Sequence, residues 1–162
     1  MSGTTKGQMT IQGRKHNAED IKATVLAVDP IKYVHRGRIA VFSIEVLREE
    51  RMVIVAEQKS NCSEEESFQW MSHVLPAIDS VHAVGVYCLC LVTPNGLPKS
   101  SNGKVCIHES RNRFLEGSLH PVNVLMCPHT TVTNLPKPRQ RYAGMLIAFS
   151  YLMKLITYVI TV

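Results

Sequence analysis

The sequence predicts a small α+β domain in which a three-stranded sheet is covered by helices. Residues 38–46 alternate between apolar and polar side chains and residues 52–57 are rich in β-branched side chains, so the two runs predict a hairpin. Residues 83–92 are apolar at both the odd and the even positions, which point to opposite faces of a strand. This pattern is typical of an inner strand covered on both faces. With 162 residues, of which 45% are hydrophobic, the chain is long enough for one ordinary domain and its ends.

The N-terminal end is predicted to be disordered over residues 1–8, which are small and polar. Residues 9–12 predict a short strand, broken at Gly13 and Arg14.

A first helix is predicted to start at Asn17, whose side chain is a favourable N-terminal cap. Glu19 and Asp20 lie in its first turn, where the helix dipole favours negative charge. Asp29 and Pro30 are predicted to end it. Its buried face is predicted from residues at helical spacing: Ile21, Val25 and Val28.

The two strands of the hairpin are separated by residues 47–51, which are charged and predict an exposed turn. A second helix follows at Ser63, which forms a capping box with Glu66. Pro76 is expected to kink or shorten this helix, and Trp70 is expected to be only partly covered. The helix is predicted to bury one stripe of side chains: Phe68, Met71, Leu75 and Ile78.

The C-terminal part of the domain is predicted to contain a short helix over residues 110–116, closed by Gly117. The domain is therefore assigned to residues 9–118. Residues 119–141 hold four prolines and predict an extended linker that partly packs on the domain. The predicted core consists of Ile21, Val25, Phe42, Ile44, Val53, Val55, Met71, Leu75, Val86 and Leu89.

Charge and cysteine content limit the classes of function. The net charge is +5, but the basic residues are scattered along the chain, so no nucleic-acid partner is predicted. The five cysteines are odd in number and no secretory signal precedes them, which favours a reducing intracellular compartment. The Cys-x-His pairs at residues 106–108 and 127–129 match the spacing of structural zinc sites weakly, so no metal site is predicted.

The candidate site is the polar segment 97–105, LPKSSNGKV, which directly follows the inner strand. A loop rich in Ser, Asn and Gly is expected at the surface, where Lys104 can reach outward. Residue types alone favour an ordinary solvated turn, in which the lysine has no special role.

The sequence resembles the small C-terminal subdomain of the AMP-forming acyl-adenylating enzymes in the order of its predicted helices and strands and in the form LPK(S/T)xxGK of the loop. GRKHNAEDI, residues 13–21, resembles the fatty acyl-AMP ligase variant of the segment just past the interdomain hinge. FLEGSLHPVNVLMCPHTTVTNLPKPRQ, residues 114–140, resembles the disco-interacting protein 2 family, in which fatty acyl-AMP ligase-like domains occur in tandem. The resemblance covers about residues 8–140.

The resemblance implies that Lys104 is the mobile lysine that stabilises charge during adenylation, with Gly103 and Pro98 supporting the loop. It implies ATP and magnesium for a complete domain, a fatty acid as the acyl substrate, and a large N-terminal adenylation subdomain as partner. After the lysine, the family tends to continue with Ile, a polar residue and a basic residue, whereas this chain has Val105, Cys106 and Ile107.

No Gly-rich phosphate loop occurs in the sequence, so the chain alone is expected to bind no cofactor and to be catalytically incomplete. Two interpretations stay open. The chain is either a detached lid subdomain, present as a fragment or truncated isoform, or a non-enzymatic interaction module with protein partners.

The tail, residues 142–162, is mostly apolar and long enough to span a bilayer, and it follows a basic cluster of Lys137, Arg139 and Arg141. Lys154 opposes insertion, because a lysine near the bilayer centre costs roughly 2.5 to 3.5 kcal/mol. The sequence predicts a cytoplasmic domain and leaves open whether the tail is a membrane anchor or an end without a selected function.

Overall fold

The computed structural model describes residues 7–28 and 33–127, which form an α+β fold. The elements in chain order are β1 (Gln8–Ile11), β2 (Arg14–Asn17), α1 (Ala18–Val28), β3 (Val34–Val46), β4 (Glu49–Gln58), α2 (Glu64–His82), β5 (Val86–Val92), α3 (Ile107–Glu116) and β6 (Asn123–Met126).

The main sheet has four strands in the order β3-β4-β5-β6, one strand more than predicted. β3 and β4 form the predicted antiparallel hairpin, and β5 pairs parallel with β4. Parallel neighbours need a long connection, which α2 provides. The additional strand, β6, lies within the predicted linker and pairs antiparallel with β5. The spacing of the prolines predicted no long element. A short strand between Pro121 and Pro128 is nevertheless sufficient to complete the sheet.

The turn between β3 and β4 is shorter than predicted. It consists of Leu47 and Arg48, both at positive φ (52° and 65°), while Glu49, Glu50 and Arg51 already belong to β4. Two residues at positive φ suit the twist of a tight hairpin, and the register runs without interruption from the pair Ile39–Ala56 to the pair Val46–Glu49. Residues 47–50 are exposed as the charged composition predicted, but Arg51 is buried.

The N-terminal segment folds as a second hairpin, because β2 follows β1 after a turn at Gln12 and Gly13. The strand β2 was not predicted from the sequence because its residues are polar and mostly exposed. The predicted cap of α1 is confirmed: the backbone N–H of Glu19 donates to Oδ1 of Asn17 at 3.0 Å. The helix ends at Val28, and the predicted stop at residues 29–30 lies outside the described residues.

Helix α2 begins with the predicted capping box, in which Ser63 and Glu66 exchange hydrogen bonds. The prediction for Trp70 was wrong, and Pro76 does not shorten the helix. The helix runs past Pro76 to His82, and Trp70 is 1% exposed. A proline inside a helix costs about 3 kcal/mol, but the buried side chains on both sides of it keep the segment helical. The buried residues of this helix are Ser67, Trp70, Met71, Val74 and Ile78. Phe68 and Leu75 of the predicted stripe are only half-buried.

The core has two layers, one on each face of the main sheet. The first contains side chains from α1, α2 and the strands, including Ile21, Trp70 and Ile54. The second lies on the α3 side and includes Phe42, Val55 and Leu119. All predicted core residues are buried except Leu75, which is half-buried against the first layer. Strand β5 is therefore covered on both faces, as its doubly apolar pattern predicted.

Helix α3 begins three residues earlier than predicted and ends at Gly117 as expected, with Gly117 at φ 72°. Leu119 is buried, so the described fold continues past the boundary predicted at residue 118. The basic cluster and the tail at 142–162 lie outside the described residues. None of the helices between residues 7 and 127 that the structure describes has the length and apolar composition needed to cross a bilayer.

Candidate functional site

The lysine loop, residues 93–106, connects β5 to α3 and folds back on itself as a small hairpin. Lys99 and Val105 form an antiparallel bridge, and the N–H of Cys106 donates to the carbonyl of Pro98 at 2.9 Å. Toward the tip, the N–H of Ser100 donates to the carbonyl of Lys104 at 2.8 Å. The loop is therefore closed by its own backbone hydrogen bonds.

The tip of the loop presents Lys104 to solvent. Lys104 and Gly103 are exposed, whereas Pro98 is buried at the base. Gly103 has φ 73°, an angle that residues with a side chain rarely adopt, and its N–H donates to the carbonyl of Ser100 at 2.9 Å. A Cβ at this position would meet no atom of the described residues within 4 Å, so the backbone angle is what calls for glycine.

The base of the loop is attached to the sheet by Glu57, the second-last residue of β4. The Glu57 side chain is 0% exposed, with Oε2 3.0 Å from Nη1 of Arg38 and Oε1 3.4 Å from Nζ of Lys99. The N–H of Leu97 donates to the same Oε1 at 3.1 Å. Asn95 Oδ1 accepts from both cations, at 2.6 Å from Arg38 and 2.8 Å from Lys99.

These contacts keep Glu57 ionised. Burial by itself raises the pKa of Glu57, but the hydrogen bonds from Arg38 and from the backbone of Leu97 and Asn95, with the charge of Lys99, lower the pKa below its ordinary value of 4.5. Because the folded pKa is the lower one, the stabilisation is complete above that ordinary value and is lost as the pH falls through the folded pKa.

The sequence predicted the loop and Lys104 but did not reveal Glu57, Arg38 and Lys99 as a unit. One local signal existed: Glu57 is a carboxylate at the end of the run 52–57, which is otherwise apolar. Such a residue needs partners when it is buried, but neighbouring sequence could not show that they come from β3 and from a loop 40 residues away.

The segment 13–21 occupies β2 and the start of α1. There His16 has a buried Nε2 without a hydrogen-bond partner among the described residues. Burial, and then the charges of His82 and Arg14, lower the pKa of His16 below 6.5. His82 in turn lies 2.7 Å from Oγ1 of Thr24 on α1. The contact of His82 with Thr24 joins the two helices, and the N-terminal hairpin packs on the same layer through Met9 and Ile11 of β1.

The cysteines do not assemble a metal site in the described part of the chain, where no group of three or more His, Cys, Asp or Glu side chains has suitable geometry. Cys88 and Cys90 are buried with their sulfurs 3.4 Å apart. The hydrogen bond with Cys88 and burial raise the pKa of Cys90, and burial raises the pKa of Cys127 to about 11. These groups are packing thiols rather than thiolate ligands.

The side chains of the loop and its base can be compared with the groups that would bind ATP and magnesium. The exposed ammonium of Lys104 fits a phosphate oxygen. The carboxylate that contacts the loop, Glu57, is already neutralised by two cations, so these residues do not themselves make a magnesium site.

Comparison with known proteins gives relatives of two kinds. Disco-interacting protein 2 of Drosophila melanogaster is 66% identical over 142 residues, which make up 88% of this chain and 8% of that protein. The medium-chain-fatty-acid acyl-carrier-protein ligase JamA of Moorena producens is 30% identical over 120 residues, or 74% of this chain and 20% of the ligase. The chain thus spans only a small part of the curated relatives that it matches.

A solved structure from work on the fatty acyl-adenylate ligases of E. coli and L. pneumophila aligns with a TM-score of 0.57 at 22% identity, over 69% of this chain and 19% of that chain. The sheet and its helices thus define the fold class: the fold is that of the C-terminal subdomain of AMP-forming acyl ligases. The family model for the meiotically up-regulated gene 62 protein-like domain matches residues 4–136. The chain belongs to that family, and over most of its length it is a close homologue of disco-interacting protein 2.

Proposed function

We propose that this chain is the lid of an acyl-adenylating domain and that it supplies Lys104 to an active site whose other wall is an N-terminal subdomain. The observation that carries the proposal is the exposed lysine at the tip of a loop whose base is fixed to the sheet. The other lysine of the loop, Lys99, is instead engaged with Glu57 and Asn95.

The chemistry explains the need for this cation. In adenylation a carboxylate oxygen bonds to the α-phosphorus of ATP while the bond to the β-phosphate oxygen breaks and pyrophosphate leaves. Negative charge rises on the phosphoryl oxygens and the leaving group. An ammonium group brought there by the lid offsets that charge in a site from which water is excluded. The N-terminal subdomain would bind ATP, magnesium and the acyl group.

The residues after Lys104 serve the loop rather than the reaction. Val105 is half-buried and forms the bridge to Lys99, and Cys106 is the residue that precedes α3. The departure from the family pattern at these positions therefore leaves the loop geometry intact.

We further propose that the acyl substrate is a fatty acid, which links the chain to lipid metabolism. Support comes from the similarity to JamA, a medium-chain-fatty-acid ligase, and to the fatty acyl-adenylate ligases. The part of JamA that aligns with this chain corresponds to the lid alone. The choice of acyl-chain length and the substrate specificity therefore belong to the N-terminal subdomain.

Adenylation can be tested by ATP–pyrophosphate exchange with a panel of fatty acids. The purified 162-residue chain is expected to show no exchange. A chimera in which this chain replaces the matching segment of Drosophila disco-interacting protein 2 is expected to catalyse exchange with at least one acid. Exchange by the isolated chain would contradict the lid proposal, and an inactive chimera beside an active parent protein would contradict the assignment of Lys104. If the parent protein is also inactive, a non-enzymatic interaction module is the function that stands.

We propose a cytoplasmic location for the described domain, because all five cysteines are free thiols. Membrane association through residues 142–162 stays a prediction from sequence. Carbonate extraction of a tagged full-length chain from cells decides it: retention in the membrane fraction supports an anchor, and recovery in the soluble fraction without aggregation contradicts one.

A further inference from the structure

We propose that Glu57 is a positioning residue for Lys104: from inside the sheet it holds the lysine loop in its closed form before the lid meets its partner. The inference rests on the proposed function, since it concerns how Lys104 is presented. Glu57 does not touch the tip of the loop and acts through the residues at its base.

The path from Glu57 to Lys104 consists of direct contacts. Oε1 of Glu57 accepts from the N–H of Leu97 at 3.1 Å and lies 3.4 Å from Nζ of Lys99. The backbone of Lys99 forms the bridge that pairs it with Val105, the residue after Lys104. The next residue, Ser100, donates to the carbonyl of Lys104 from its N–H at 2.8 Å and from Oγ at 3.2 Å.

The charges explain why this anchor is strong. Glu57 is fully buried, whereas the side chains of Arg38 and Lys99 are 36% and 20% exposed. A buried carboxylate without its partners is strongly unfavourable, so any opening that pulls Leu97 and Lys99 away has to expose or unpair the charge. The loop base is thereby held in one arrangement even though its tip is polar and exposed.

The closed form of the loop reduces the conformational entropy that is lost when the lid closes. A flexible loop would have to be ordered when the lid closes over the reacting groups, and that ordering would oppose catalysis. Here the loop is closed within the lid itself, so the lysine arrives by rigid-body movement of the subdomain. Lys104 keeps its own side-chain freedom, because only its backbone is held.

The test uses Glu57→Gln, which keeps the shape and an acceptor for Leu97 but removes the charge opposite Arg38 and Lys99. In amide hydrogen exchange of the 162-residue chain, the amides of Ser100 and Cys106 are expected to exchange roughly tenfold faster or more, since charge-assisted hydrogen bonds are lost. Amides in the middle of α2 are expected to be unchanged.

The matched control is Glu49→Gln. It makes the same chemical change at the other end of β4, where Glu49 pairs with Arg51, and it is expected to leave the loop amides unchanged. Lys99→Met is a milder second variant that leaves the pair of Glu57 and Arg38 intact. It keeps the proposal testable if Glu57→Gln does not fold, and it is expected to accelerate the same loop amides.

In the active chimera, Glu57→Gln is expected to lower kcat about tenfold or more while KM for ATP changes less than about twofold, because the nucleotide is bound by the other subdomain. Unchanged loop amides, or faster loop amides with unchanged kcat, would overturn the positioning role. Failure of the proposed function has a different signature: Lys104→Ala would then leave kcat unchanged, whatever the loop amides show.

Discussion

Lys104→Ala in the active chimera is expected to lower the rate of ATP–pyrophosphate exchange by about two to three orders of magnitude, the usual effect of removing one group that stabilises transition-state charge. The structure supports a specific effect because Lys104 is exposed, whereas Lys99 of the same loop is engaged with Glu57 and Asn95. The loss should fall on kcat rather than on KM for ATP, since the proposed function assigns nucleotide binding to the N-terminal subdomain.

Two controls separate this effect from a change of folding. Lys22→Ala removes a lysine of α1 that pairs with Glu19 at 3.9 Å, and it is expected to leave the exchange rate unchanged. The free energy of unfolding of the Lys104→Ala chain is expected to stay within about 0.5 kcal/mol of wild type, as for most surface substitutions. An exchange rate equal to wild type would show that Lys104 is only a surface lysine.

Phe42→Ala is expected to lower the free energy of unfolding by about 3 to 5 kcal/mol. Phe42 is 3% exposed and belongs to the layer between the sheet and α3. Its ring meets that of Phe114 edge to face, with centroids 5.8 Å apart and an angle of 66° between the planes. The variant loses apolar burial and the aromatic contact, and it leaves a cavity that the close-packed strands cannot fill.

Urea denaturation followed by circular dichroism measures this effect, with an unchanged slope showing that the unfolded state is the same. Leu47→Ala, at a position 87% exposed in the turn that ends the same strand, is the control and should change stability by less than about 0.5 kcal/mol. A loss below about 1 kcal/mol for Phe42→Ala would mean that the layer beneath α3 is not packed as described.

Local patterns were enough to predict the helices and the inner strands. The capping box at Ser63 and the doubly apolar run before the lysine loop each depend on neighbours in sequence, and both were confirmed. Trp70 and β6 were not predicted correctly, because the first depends on which face of α2 meets the sheet, and the second on a free edge of β5.

Composition and periodicity act over a few residues, and they were sufficient to predict a lysine on a polar surface loop after a buried strand. The anchoring of that loop became visible only in three dimensions. Glu57, Arg38 and Lys99 lie far apart along the chain and meet because β3, β4 and the loop after β5 converge at one end of the sheet. Such a cluster forms because a buried carboxylate must find cations and donors wherever the fold brings them, and no local pattern records that requirement.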